Sequence, residues 1–100
     1  MALEKTVKDI AVACKIDPKA EKWLIDEKIL DVEGVASLSP TEALVETKII
    51  NVIIAAGATE LNKSGAQVAI TKFWRKCREA FEHEQALNAA ALAAAIPSAG

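Results

Sequence analysis

Apolar positions in the first part of the chain recur at steps of three and four. Leu3, Val7, Ile10, Ala11 and Cys14 share one face, and Glu4, Lys5, Lys8 and Asp9 take the other. That period predicts an amphipathic helix over residues 3–15. Asp17-Pro18 then reads as an N-cap followed by proline at the first helical position, where its missing N–H is not needed. A second helix is expected to run to about residue 28, with Ala20, Trp23 and Leu24 inward. Asp31 is the next cap candidate, flanked by Leu30 and Val35 at the two positions of a hydrophobic staple. A short third helix over residues 32–38 follows, weakened by Gly34.

Ser39-Pro40-Thr41-Glu42 has the spacing of a capping box with proline at the favoured site. It predicts a fourth helix over residues 40–56, with Gly57 as a left-handed C-terminal cap. Leu44, Val45, Ile49, Ile50, Val52, Ile53 and Ile54 cover most of its circumference, leaving a polar strip of Thr47, Lys48 and Asn51. A helix apolar nearly all round is expected at the centre of the fold. Its β-branched content also suits a strand over residues 47–55. The capped ends, the lack of alternation and the absence of a pairing strand favour the helix.

Ser64-Gly65-Ala66-Gln67 reads as a second capping box. No breaker follows until Pro97, so the fifth helix is expected over residues 65–96, about 48 Å at 1.5 Å per residue. Ala66, Ile70, Phe73, Trp74, Cys77 and Phe81 form its core face, on which Glu84 and Asn88 come next. The helix should therefore leave the core near Glu82 and project. This divides the chain into a bundle, residues 1–83, and an Ala-rich helical extension and tail, residues 84–100. Seven of the eleven residues from 86 to 96 are Ala. Such a stretch is either an exposed extension or a helix that packs closely on a partner, and Leu92 and Ile96 are its candidate interface residues.

The bulk properties narrow the function. The chain has 100 residues, 52% of them hydrophobic and 26% charged, which is a globular composition of single-domain size. A formal charge of -2 excludes a broadly basic nucleic-acid binder but leaves room for a local basic patch. The longest apolar runs, 52–58 and 89–96, fall well short of the ~20 residues that cross a bilayer. The charged N-terminus has no apolar signal core, so a cytoplasmic or nuclear location and no membrane contact are expected. Cys14 and Cys77 are expected as free, buried thiols rather than a disulfide. With no C-x-x-C pair and His83 as the only histidine, no metal and no cofactor are expected.

Catalytic constellations are not apparent. His83 lies four residues after Glu79 in a charged stretch, which suits a surface contact along a helix. Asp26-Glu27 and Glu82 with Glu84 sit in polar surroundings, whereas a raised carboxyl pKa for acid catalysis needs burial. There is no P-loop and no Gly-x-Gly-x-x-Gly. The chain is therefore not expected to be an enzyme. The strongest charged feature is basic: Lys72, Arg75, Lys76 and Arg78, interleaved with Phe73 and Trp74. Basic residues beside aromatics can bind a phosphate backbone and stack bases. The competing reading puts the aromatics in the core and the basic residues on the solvated side. On the helical wheel Lys72, Arg75 and Lys76 fall within ~100° while Arg78 points elsewhere.

Residues 23–78 carry short motifs that resemble those of a sterile alpha motif domain. Trp23-Leu24 is similar to that family's Trp-Leu pair in an early helix. Ala56-Gly57-Ala58 is similar to its turn before the last helix, and Gly65 with Ile70 to the opening of that helix. The fourth helix is longer and more aliphatic than the family pattern, and the first has no clear place in it. The resemblance implies a five-helix bundle with a long last helix, and association as its function, occasionally with RNA. It implies an interface at Lys63, Ser64, Gly65 and Gln67, with Asp26, Glu27, Asp31 and Glu33 as an acidic counterpart. Paired surfaces of that kind generate head-to-tail contacts.

The expected fold is thus all-α: a small five-helix bundle with a long, projecting C-terminal helix. The expected function is a non-catalytic protein–protein interaction or self-assembly module, with a protein partner or a second copy as its ligand. The alternatives are a nucleic-acid-binding domain using the Lys72, Arg75, Lys76 and Arg78 face, or a structural subunit of a larger assembly.

Overall fold

Leu3, Val7 and Ala11 are buried along one side of α1 (Lys5–Cys14). This and all that follows is drawn from a computed structural model, which describes residues 2–95, with side chains described for residues 2–89. After α1 come α2 (Pro18–Asp26), α3 (Val32–Ser37), α4 (Asn51–Ala55) and α5 (Ser64–Ala95), and no strand occurs among the described residues. The fold is all-α, as the periodicity predicts.

The joints between helices are built from a few repeated devices. The Asp17 carboxylate accepts the Lys19 N–H at 2.8 Å, and the Asp31 carboxylate accepts the Gly34 N–H at 2.7 Å. Each stabilises a helix start by satisfying an orphan donor. Gly34 is the residue that lets α3 settle on its cap. A Cβ there would stand 3.0 Å from Asp31 Oδ1 and 3.1 Å from Ile29 Cγ2. At the helix ends three Schellman motifs recur. Ile16 and Lys15 donate to the Ala11 and Val12 carbonyls, both at 3.2 Å. Ile29 and Lys28 donate to Leu24 and Ile25, at 2.9 and 3.0 Å. Ala58 and Gly57 donate to Ile53 and Ile54, at 3.2 and 3.0 Å. The left-handed residue is glycine only in the third, with φ 117°; in the others it is Lys15, φ 56°, and Lys28, φ 60°.

The entry to the fourth helix differs from the capping box read in the sequence. Ser39 is fully buried, and its hydroxyl donates to the Thr41 carbonyl at 2.6 Å instead of accepting an N–H. The helical path opens with a 3-10 turn, Glu42–Leu44, widens into a π stretch, Glu46–Ile50, and closes as α4. The wide turn decides which apolar residues face inward. At 100° per residue Ile50 would lie about 140° from Val45, and Val52 within about 20° of it. A π turn takes more residues per revolution. It brings Ile50 in beside Val45, Ile49 and Ile53, all buried, and turns Val52 out to 44% exposure. Leu44 is exposed as well. This helix therefore lies on the core by one face and is not its centre.

The element at the centre is α5. Its Ile70, Phe73, Trp74 and Cys77 are buried against α1, α3 and the π stretch, with Leu61 from a 3-10 turn, Thr59–Asn62, beneath them. Ala66 and Phe81 are half-buried at either end of that stripe. Trp23, expected to face inward, is half-buried and packs at the edge of the core. The start of α5 also differs from expectation. The Gln67 N–H donates to the Lys63 carbonyl at 3.1 Å, so Lys63 holds the N-cap position and Ser64 is already helical. The Gln67 side-chain amide reaches past it to the Leu61 carbonyl, 3.0 Å away. From Glu82 to Ala89 every residue is exposed while the helix continues, giving the molecule extents of 59 × 29 × 21 Å.

Candidate functional site

A void in the core between Leu24, Val35, Ile53, Ile70 and Phe73 has about 10 Å³, which is at or below what one water needs. Two grooves open on the surface along the flanks of α5, and a smaller one of about 230 Å³ lies between α2 and the end of α4, lined by Lys19, Trp23 and Ile53 among others.

One flank faces the 3-10 and π turns. Ser64, Gln67, Val68 and Thr71 of α5 oppose Glu42, Ala43, Glu46 and Ile50 across an open groove of about 620 Å³. Arg75 pairs with Glu42 at 3.3 Å on its border. Of the residues expected at an interface, Ser64 and Gln67 line this groove, Lys63 and Gly65 are exposed beside it, and Gln67 is held by its bond to Leu61. The side chains of Leu92 and Ile96 lie outside the described residues.

The other flank faces the end of α1. Lys72, Arg75 and Lys76 stand together there, as their spacing predicts, and Lys15 joins them across a groove of about 530 Å³. Lys15 was not legible as part of this set, because its place depends on how α1 packs on α5. Arg78 is elsewhere: its Nε donates to Glu82 at 2.9 Å, and its guanidinium carbon lies 6.0 Å from the Trp74 ring centroid. Phe73 and Trp74 are buried, so neither offers a face for stacking a base.

The acidic residues named in the sequence divide: Asp31 and Glu33 border one groove with Glu4 and Glu84, and Asp26 borders another with Lys19 and Lys22. Asp26 pairs with Lys22 at 2.8 Å, Asp31 is spent as a cap, and Glu27 and Glu33 are exposed. Lys19 and Glu60 form a surface pair at 2.8 Å. Their hydrogen bond, with the attraction between their charges, raises the Lys19 pKa and lowers that of Glu60.

Cys77 is buried, and desolvation, with a smaller contribution from Cys14, pushes its thiol up to about 12. Such a thiol stays protonated and is a poor nucleophile. Cys14 is free and half-buried in the floor of the basic groove, and His83 is exposed on the distal part of α5. Among the described residues no group of three or more potential metal ligands is gathered, and no helix is long and apolar enough to cross a membrane. Neither a family model, nor a curated protein, nor a solved structure matches the chain.

Proposed function

We propose that this chain is a non-catalytic association module, a sterile alpha motif-like bundle over residues 1–83 that binds a second copy or a protein partner, with residues 84–100 as part of its contact surface. The observation that carries the reading is the unbroken course of α5 beyond its own core. From Glu82 onward the helix is kept while every side chain to Ala89 is exposed, including Leu87 at 56%. A helix without tertiary packing is marginal at this length even when rich in alanine. A second surface laid against it stabilises the helix and covers Leu87. The groove along Ser64 and Gln67 offers a further contact face on the same helix. Absence of catalysis fits a buried, protonated Cys77 and a histidine set in solvent among glutamates.

Sedimentation of the full chain across a wide concentration series tests the reading. The weight-average mass is expected to rise above that of one chain as concentration increases. A single-chain mass at every concentration would remove self-association and leave only a different protein as the partner.

A further inference from the structure

The basic groove differs from the rest of the surface in its charge pattern. Lys15, Lys72, Arg75 and Lys76 border it, and no carboxylate does, although the chain as a whole is acidic. Its floor is Ile10, Ala13 and Cys14. Lys15 and Lys72 have no ion-pair partner among the described residues. Arg75 and Lys76 make surface pairs with Glu42 and Glu79, at 3.3 and 3.9 Å, of the kind that contributes little and exchanges readily. Lys15 is also held at a left-handed φ of 56°, where a glycine would relax the backbone. That conformation belongs to the Schellman motif that ends α1, as Lys28 at φ 60° does for α2, and it sets Lys15 at the mouth of this groove.

We propose that this groove is a docking site for an acidic amphipathic helix of a partner protein. Lys72 and Lys76 are one turn apart, about 6 Å along α5, which is the spacing of glutamates at i and i+4 on an incoming helix. An apolar side chain between those glutamates meets the Ile10 and Cys14 floor. The chemistry separates this partner from a nucleic acid. A phosphate backbone has no use for an apolar floor, and the aromatics that would stack bases are buried. The proposal supplies a partner class for the association reading and rests on it. Its test reads heterologous peptide binding, which self-association through distal α5 does not set.

The probe is a labelled synthetic peptide of Glu and Leu patterned as an amphipathic helix, with a scrambled peptide and a single-stranded oligonucleotide as comparisons. Anisotropy with the full chain is expected to show binding of the patterned peptide alone, weakening with added salt. Lys72→Glu with Lys76→Glu should lower the affinity about tenfold or more. Lys15→Gly should raise the melting temperature and yet weaken binding, a pair of effects that a purely structural role cannot produce. Lys28→Gly, at the matching left-handed position away from the groove, should raise the melting temperature with binding unchanged. On the unaltered protein, bound peptide should slow alkylation of Cys14, the accessible thiol. Binding of the oligonucleotide in place of the peptide, peptide affinity indifferent to the double substitution, or Cys14 alkylation unchanged by peptide would each overturn the proposal.

Discussion

The two parts of α5 share one continuous backbone and little else. Between Ser64 and Phe81 the helix buries Ile70, Phe73, Trp74 and Cys77 at spacings of three and four, and it is the element around which α1, α3 and the π stretch gather. Between Glu82 and Ala89 the same face presents Glu84 and Asn88, and every residue is exposed, with Glu84 and Asn88 bordering an open groove of about 200 Å³ opposite Glu4, Asp31 and Glu33. The proximal part is helical because tertiary contacts hold it. The distal part depends on local terms, helix propensity and the Arg78–Glu82 pair at its start, each worth a fraction of a kcal/mol. Helix formation and helix burial are thus separate properties of one element, and the point where they part marks the end of the bundle.

The largest effect that could break this contrast is a cavity in the proximal part. Phe73→Ala should lower stability by about 3–5 kcal/mol, read from urea unfolding. Leu87→Ala in the distal part should stay within about 0.5 kcal/mol. Comparable losses at both sites would mean that the distal helix folds back on its own bundle.

Burial on the proximal part also predicts a pH dependence. Cys77 keeps its proton to about 12 in the folded chain, against an ordinary value of 9.0. Between those values the unfolded chain has released the proton and the folded chain has not. Stability therefore falls as pH rises through that window, by at most about 1.4 kcal/mol per pH unit. Cys77→Ala, which lacks the titrating group, should show a shallower decline over the same range. Equal slopes would place Cys77 in contact with water.

Two smaller effects belong to the bundle rather than the extension, so they should be the same size in a chain lacking residues 86–100. Ser39→Ala removes the buried hydroxyl from the Thr41 carbonyl and should cost about 1 kcal/mol. Lys28→Gly relieves a left-handed φ of 60° and should stabilise by up to about 1 kcal/mol. Either effect vanishing in the shortened chain would show that the extension braces the bundle.

What the sequence made legible was local. Asp17, Asp31 and Gly57 announce their caps because the chemistry sits within a few residues of the helix end. The exit of α5 from the core could be read from Glu84 and Asn88 interrupting the stripe. What stayed hidden depends on competition or on packing. Ser39 and Ser64 have capping-box spacing, but one hydroxyl turns to a carbonyl and the other residue is overtaken by Lys63. The π turn that exchanges Val52 for Ile50 has no marker in an aliphatic run. Lys15 and Lys28 do leave a trace, a lysine and an isoleucine shortly before a capping aspartate, which is the left-handed residue and the apolar residue of a Schellman motif. Lys15 joins Lys72 and Lys76 only once α1 lies on α5, which no spacing in the chain discloses.

The central claim, that distal α5 acts between molecules and not within one, is tested most directly by removing residues 86–100 and measuring melting and solution mass together. The account predicts a melting temperature nearly unchanged and a mass that stays lower than that of the full chain as concentration rises. A shortened chain that melts several degrees lower, with the same mass as the full chain at every concentration, would contradict it.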